Sequence, residues 1–264
     1  MCLSALIVAA ASVHAQEPIL LRLHPHTGDT LHTLLEQRTE VSMPDAGGRS
    51  SVTDIAIHSQ TIVRAVQPTS TVVLTVVDSA RISSTDAHAA AAIGSARRSL
   101  EGRQMVLQLG ADGSVEWARD AQGALVSREV ADAMSAMPAV FPKAPVVVGQ
   151  QWTREMPLPS GGPLGARGSG TARAIFRLDS LGHGNGTAYV SMHGEILPDS
   201  SSRGVELNGT ISGAMQLDRT RGWMTESHIV IVLRSLVTPP TASGLAPMRF
   251  LTRVTQRLRT MDKR

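Results

Sequence analysis

The chain has 264 residues, of which 42% are hydrophobic and 18% are charged, and this composition excludes an intrinsically disordered protein. Only 3% of the residues are aromatic, so a core must be built from aliphatic side chains and methionine, and few rings are present to stack on nucleic-acid bases. The net charge is +3, but acidic residues are interspersed with the basic ones, which argues against nucleic-acid binding.

The first predicted element is an export signal peptide over residues 1–15. Residues 3–13 form an apolar run that is too short to span a bilayer, and small residues follow where a signal peptidase cuts, after Ala15. The basic N-terminal region that normally precedes such a run is missing, so we expect a signal peptide whose N-terminal region is truncated. The single cysteine, Cys2, lies within it, which leaves the exported chain without a thiol. We therefore expect an exported protein, periplasmic or extracellular, with one domain over residues 16–264.

Most of that domain alternates between apolar and polar residues, the pattern of strands with one buried face. The clearest strand covers residues 205–217, and residues 248–259 repeat the pattern with arginines on the polar face. Turns such as Asp112-Gly113 and Asn185-Gly186 join neighbouring strands, which must then run antiparallel. Similar alternating runs cover about 19–24, 31–43, 52–66, 71–82, 103–109, 171–181, 187–197 and 223–237.

Two segments interrupt the predicted strands. Residues 86–99 are rich in alanine and predict a short helix. Residues 127–140 place Met134 and Met137 at helical spacing, and Pro138 then ends the helix. The chain is therefore predicted to be mainly β: a single curved antiparallel sheet, or incomplete β-barrel, with one principal helix near 127–140 packed on its concave side.

The stretch LHPHTGDTLH holds His24, His26 and His32 around one acid, Asp29, and raises the question of a metal site. Strand parity places His24 and His32 on the polar face, away from the apolar positions. Gly28 followed by Asp29 has the form of a turn. We therefore interpret the stretch as a connector and predict no metal site.

No catalytic motif or cofactor site is found in the sequence. A nucleophile elbow of the form G-x-S-x-G is missing, since Gly168-Ser169-Gly170 lacks the spacing. The glycine-rich stretches 161–170 and 182–186 do not open a helix after a parallel strand, as phosphate-binding loops do, and we interpret them as hairpin loops. We predict a protein that is not an enzyme and that needs no cofactor, and a hydrolase with a triad of no recognisable sequence spacing stays a residual alternative.

Residues 141–152 read FPKAPVVVGQQW and contain the pattern P-x-x-P-V-x-V-G-x-x-W. With the early Gly28-Asp29 turn and the Asp112-Gly113 turn before the predicted helix, this pattern resembles a β-rich family of exported bacterial proteins of unknown function. In architecture that family looks like the lipoprotein-carrier (LolA/LppX-like) class, so the resemblance implies a curved sheet with helices in its concave side. It assigns no catalytic residues. From the residues alone, Trp152 is expected to be a core side chain.

The apolar strand faces leave two alternatives open, a fully packed core or a cleft for an apolar ligand. Because methionine adapts to varied apolar partners, we interpret the chain as a non-enzymatic protein that binds a lipid or another apolar small molecule in a half-barrel cleft. The candidate ligand-binding residues are Met134, Met137, Leu207, Ile211, Met215, Ile229 and Leu233.

The alternative is an envelope interaction or scaffold protein with a packed core and no ligand. Such a protein would use the stripe of arginines on the last predicted strand as its interaction surface. No transmembrane segment is expected, because no later apolar run reaches the ~18 residues that a spanning helix needs. The stripe consists of Arg249, Arg253, Arg257 and Arg259.

Overall fold

A computed structural model of the protein describes residues 17–122, 139–157, 170–198, 205–238 and 246–261. These residues form eleven strands and one α-helix, and no helix among them is long and apolar enough to cross a membrane. In chain order the elements are β1 (Thr30–Met43), β2 (Arg49–Val66), β3 (Ser70–Ser84), α1 (Ala90–Leu100), β4 (Gln104–Gly110), β5 (Val115–Asp120), β6 (Gln151–Pro157), β7 (Gly170–Leu181), β8 (Thr187–Pro198), β9 (Val205–Asp218), β10 (Trp223–Val237) and β11 (Met248–Met261).

All eleven strands belong to one antiparallel sheet with the order β5-β4-β3-β2-β1-β11-β10-β9-β8-β7-β6. Each strand pairs with its neighbours in the chain, except that β5 and β6 stay apart and β1 pairs with β11. Short turns favour this arrangement, because strands that only a few residues connect must run antiparallel. Within the described ranges nothing pairs with the outer edges of β5 and β6, so the sheet is open.

The structure confirms the predicted fold class, a mainly β protein with one curved antiparallel sheet that is not closed. Its helix α1 lies in the alanine-rich segment for which a short helix is predicted. The principal helix predicted near 127–140, with Met134 and Met137, lies outside the described part of the chain up to residue 138, and residues 139 and 140 are not helical.

Two sequence-based predictions need correction. Residues 19–24 are not a strand, because this segment runs past the ends of the strands and forms only one isolated bridge, between Ile19 and Val146. The strand β5 was not predicted, because its sequence VEWARD mixes charged and apolar residues too evenly for a clear alternation.

The apolar strand positions share the inner, concave face of the sheet and form two clusters there. The main core packs on β6–β10 and also takes in Leu21 and Phe141, which come from outside the sheet. A smaller cluster joins β2, β3 and β4. The smaller cluster lies toward the end of the sheet that carries the β2–β3, β4–β5, β7–β8 and β9–β10 turns, which we call the closed end. The main core extends along its strands from the closed end, at Leu217, to the opposite end, at Leu207. The smaller cluster consists of Val63, Val73, Leu107 and Leu109.

The N-terminal segment, residues 17–29, runs across the closed end and hydrogen-bonds to four parts of the structure. One of them is β2, where the Val63 carbonyl accepts from the Gly28 N–H at 2.9 Å. Ile19 exchanges both backbone hydrogen bonds with Val146, each 2.8 Å long. The Leu23 N–H donates to the Ala111 carbonyl in the β4–β5 turn, also at 2.8 Å. Because these bonds satisfy the segment's backbone, it can cover the apolar interior at this end without burying unpaired polar groups.

Gly222, in the β9–β10 turn, accepts the last of these bonds, from the His24 N–H at 2.8 Å. Its φ is +58°, in the left-handed region that side chains disfavour. A Cβ atom at Gly222 would lie 2.6 Å from the backbone nitrogen of His24. Only glycine therefore allows the turn and the N-terminal segment to approach each other this closely.

The helix α1 packs beside β3, where β3 extends beyond its partner β4. The pairing with β4 ends at Val76, and the next residue, Val77, accepts a hydrogen bond of 2.9 Å from the Gly102 N–H just after the helix. The Glu101 carboxylate accepts a further bond, 3.5 Å long, from the Ala80 N–H. The helix thus covers a stretch of strand edge that would otherwise expose unpaired backbone groups.

Candidate functional site

Residues 139–150 pass between the two open edges of the sheet and connect them at the closed end. The Phe141 N–H donates to the Asp112 carbonyl in the β4–β5 turn at 3.0 Å, and its ring is fully buried. Arg154 of β6 donates from Nη2 to the Phe141 carbonyl, and the same nitrogen lies 3.8 Å from the Asp112 carboxylate. Phe141 and Arg154 therefore link the β4–β5 turn to β6, although the two edge strands do not pair.

Trp152 follows this segment on β6 and packs at the border of the main core. Its ring stacks on Phe176, with the ring centroids 5.7 Å apart and the planes 10° from parallel. Its indole Nε1–H donates to the Val140 carbonyl at 2.9 Å. The prediction that Trp152 is a core side chain is met in part, because the ring is partly buried against the main core, and the hydrogen bond gives it a second role in fixing the segment that precedes β6.

Replacing Trp152 with phenylalanine tests this second role. The stack on Phe176 is retained, but the Val140 carbonyl loses its donor, so we expect the free energy of unfolding to fall by about 1–2 kcal/mol. Urea denaturation measures the change. Trp117→Phe is the matched control, because that indole donates to the side chain of Gln108 at 2.7 Å, and a mobile amide regains water. Equal losses in the two variants would contradict a special role for the Val140 bond.

The structure describes five of the seven predicted ligand-binding residues, and all five lie on the inner face. Four of them, Leu207, Ile211, Met215 and Leu233, are buried in the main core, with at most 5% of their surface exposed. Ile229 is half-buried at the border of that core. Met134 and Met137 fall outside the described residues. The more accessible part of the inner face therefore begins at Ile229 on β10 and continues across β11 and β1 to β2.

That surface is formed by inner side chains of β10, β11, β1 and β2, which remain half-buried. Strand register sets them in rows, and in one of these rows Ile231 lies beside Val254, which lies beside Thr39. Among the described strands, the helix α1 makes its main contacts with β3. We call it the concave trough; its members are Ile229, Ile231, Val254, Gln256, Leu258, Leu35, Gln37, Thr39, Val41, Ile55 and Ile57.

The trough differs from the outer face of the same strands in charge. No inner position of β1 or β11 is charged, and the inner positions of β2 are uncharged from Ser51 onward. The same holds for β10 between Ser227 and Val237. Water solvates both faces in part, so the absence of charge from one of them is not explained by burial alone.

The outer face carries ion pairs between neighbouring strands. Arg257 of the predicted stripe pairs with Glu226 at 2.7 Å, and Arg259 pairs with Glu36 at 3.0 Å. The other two arginines of the stripe, Arg249 and Arg253, are exposed and have no ion-pair partner among the described residues. Half of the stripe is thus engaged within the sheet, which weakens the case for its use as an interaction surface.

Arg38 is a further cation of the outer face, on β1. Its Nε donates to the Glu40 carboxylate at 2.7 Å, and its Nη1 lies 3.4 Å from the Asp54 carboxylate. The hydrogen bond to Glu40, followed by the negative charge of Asp54, raises the pKa of the Arg38 guanidinium. Arg38 is therefore held as a charged member of this face.

The histidines of LHPHTGDTLH do not converge on one point. The His26 N–H donates to the Asp29 carboxylate at 2.8 Å and the Asp29 N–H donates to the His26 carbonyl at 3.1 Å, which closes the predicted turn. His24 lines a cavity of about 810 Å³ at the closed end, whereas His32 lies on the outer face of β1. Within the described ranges, no group of three or more histidines, cysteines or acids could hold a metal ion.

Comparison with known proteins assigns no function to the chain. Residues 121–224 match a family of unknown function, DUF6263, which covers less than half of the chain and has no assigned activity. No curated protein matches the chain. Among solved structures, the chain is similar to the crystal structure of an outer membrane channel from Pseudomonas putida F1, with 9% identity over 96% of this chain and 100% of that one. The TM-score is 0.24, which supports no inference about fold or function.

The family match agrees with the resemblance to a family of unknown function, and it includes the segment FPKAPVVVGQQW. Neither the signature itself nor the lipoprotein-carrier architecture is tested by the match, so both stay predictions. A function for this chain must therefore be inferred from the geometry and the chemistry of its inner face.

Proposed function

We propose that the protein is a non-enzymatic binding module that holds a lipid or another elongated apolar molecule in the concave trough. The observation that carries this proposal is the charge-free inner face of β10, β11, β1 and β2, which stays half-exposed beside a packed core. A solvated surface without charges that continues an apolar core is typical of a binding site for an apolar partner.

The dimensions of the trough favour an elongated ligand. Four neighbouring strands lie about 4.8 Å apart, so the trough is about 14 Å across between β10 and β2. Along β1 its inner side chains run from Leu35 to Val41, a length of about 20 Å at the usual rise per residue. An open groove of this shape accepts a chain along its length, whereas a compact ligand would leave much of the apolar surface in water.

The chemistry changes across the trough. On β10 the inner side chains Ile229 and Ile231 are wholly apolar, whereas β11 and β1 present Gln256 and Gln37 directly opposite each other. The Gln37 amide nitrogen donates to the Thr39 hydroxyl at 3.2 Å, which fixes its orientation. The apolar side suits a hydrocarbon chain, and the two amides suit a neutral polar group such as an ester or a hydroxyl.

The proposal includes two expectations from the sequence. We propose that the protein acts outside the cytoplasm, in the periplasm or beyond the cell, because residues 1–15 have the pattern of a leader. We also propose that Met134 and Met137 contact the ligand, because their helical spacing gives them one shared apolar face.

A pair of variants in adjacent residues of β10 tests the trough. Ile231 points inward and Val232 points outward, and both are half-buried aliphatic side chains. We expect Ile231→Asn to weaken binding of a fluorescent fatty acid about tenfold, since one lost apolar contact of about 1–2 kcal/mol corresponds to that factor. Val232→Asn is expected to leave the affinity within about twofold of the wild-type value.

Either of two results would overturn the proposal. If the wild-type protein does not bind the fatty acid, or if both variants weaken binding equally, the trough is not the binding surface. Native mass spectrometry of the purified protein gives a second readout, because a bound lipid adds a mass that Ile231→Asn should reduce in occupancy.

A further inference from the structure

A pocket separate from the trough lies between residues 142–146 and the start of β6, at the open edge of the sheet. It has a volume of about 270 Å³, and all of the residues that line it are described. Two cations, Lys143 and Arg154, are among them, together with the amides of Gln150 and Gln151. No aspartate or glutamate lines it. We call it the basic pocket.

The signature segment builds this pocket. Pro142 and Pro145, before and after Lys143, fix φ at their own positions, and the backbone follows a bent path at Lys143 and Ala144 that leaves the lysine exposed at the pocket. The bridge between Val146 and Ile19 then fixes the end of that path. Lys143 is exposed and has no ion-pair partner in the described part of the chain. Its charge is thus free to attract a ligand.

Arg154 provides the second charge from a more buried position. Its side chain is 14% exposed, and its Nε is buried without a hydrogen-bond partner among the described residues. The Asp112 carboxylate, 3.8 Å from Nη2, offsets one positive charge. Glu155 does not offset the other, because it pairs with Arg173 at 3.1 Å on the outer face. The pocket is left with a net charge of one.

Neutral donors complete the pocket. The Gln150 side-chain oxygen accepts a hydrogen bond of 3.1 Å from the Val147 N–H, so its amide nitrogen is the end that stays available. Together with the cations and the Thr153 hydroxyl, this amide forms a donor-rich, acid-free lining. We propose that the basic pocket binds one anionic group, a carboxylate or a phosphate, through Lys143 and Arg154.

Such a group belongs either to a free ion or to the head of an amphiphile. Inorganic phosphate and dodecyl phosphate carry the same head and differ in the hydrocarbon chain, so comparing them separates the two sources. Isothermal titration calorimetry with each probe at low ionic strength gives the affinities. Lys143→Gln is the test variant, because the exposed lysine is not part of any described contact that supports the fold. Arg98→Gln on α1 is the control, since it removes one exposed charge far from the pocket.

We expect Lys143→Gln to weaken the binding of inorganic phosphate about tenfold, the effect of losing one charge-assisted contact. Arg98→Gln should change it less than twofold, and both variants should keep the wild-type unfolding midpoint. Tighter binding of dodecyl phosphate with the same loss in Lys143→Gln identifies a head-group site, and equal affinities identify a site for a free anion. Phosphate binding that is not saturable, or that Lys143→Gln leaves unchanged, overturns the proposal.

Discussion

Replacing Phe176 with alanine is expected to lower the free energy of unfolding by about 3–5 kcal/mol, the cost of removing a large ring from a packed interior. Phe176 on β7 is fully buried, and Trp152 stacks on its ring. The neighbouring inner residue Ala174 has no side chain long enough to fill the space. Loss of the ring therefore leaves a cavity in the main core and removes the partner that holds Trp152 in place.

Urea denaturation of the purified protein measures this loss. Tyr189→Ala on β8 is the control, because Tyr189 is 39% exposed and lies on the outer face. Its loss should cost less than about 1 kcal/mol, which is typical of a surface position on a strand. Similar changes in the two variants would mean that the inner face of β7 is not the packed core.

Replacing Gly222 with alanine is expected to cost about 3 kcal/mol or more. About 1–2 kcal/mol comes from the left-handed φ of +58°, which an alanine adopts only with strain. The rest comes from the Cβ atom, which would collide with the backbone of His24 and push the N-terminal segment away from the turn. Because backbone atoms cannot rotate aside as a side chain can, the segment must move as a whole.

Gly47→Ala separates these two contributions. Gly47 has a similar φ of +69°, but a Cβ atom there meets nothing within 4 Å, so only the conformational cost of about 1–2 kcal/mol remains. Limited trypsin digestion adds a local readout, since displacing the segment in Gly222→Ala should speed cleavage after the exposed Arg22. If both glycine variants lose the same stability and Arg22 is cut at the wild-type rate, the segment does not cross the closed end.

The faces of the strands could be predicted from the sequence because side chains alternate strictly along a strand. On β9 the predicted apolar positions include Leu207 and Met215, and both are buried. On β11 the predicted polar positions include Arg257, which forms its ion pair on the outer face. The turns were predictable for a related reason, since glycine at positions such as Gly113 permits a φ of +88°.

The depth of burial could not be predicted in the same way. Ile231 and Leu233 share one face of β10 and similar chemistry, yet Leu233 is in the core and Ile231 is half-exposed. What separates them is which other parts of the chain lie over each position. Four of the five described residues of the predicted site are packed core for this reason, and the trough lies beside them.

The basic pocket could not be predicted from the sequence either. Lys143 and Arg154 are eleven residues apart, on a proline-rich segment and on a strand, and no spacing rule joins them. Both line one pocket because Phe141 and Val146 anchor the segment to the β4–β5 turn and to the N-terminal segment. The signature in the sequence indicated that the segment matters, but it did not indicate a pocket.

The sequence by itself determined the class of this protein: a β-rich chain whose strands each have one apolar and one polar face. That follows from a period of two, which is local and needs no partner. The tertiary structure alone decided that β1 pairs with β11, that the N-terminal segment seals one end, and that four strands keep an uncharged inner face open to solvent. Those features depend on contacts between residues far apart in the chain, which local alternation does not encode.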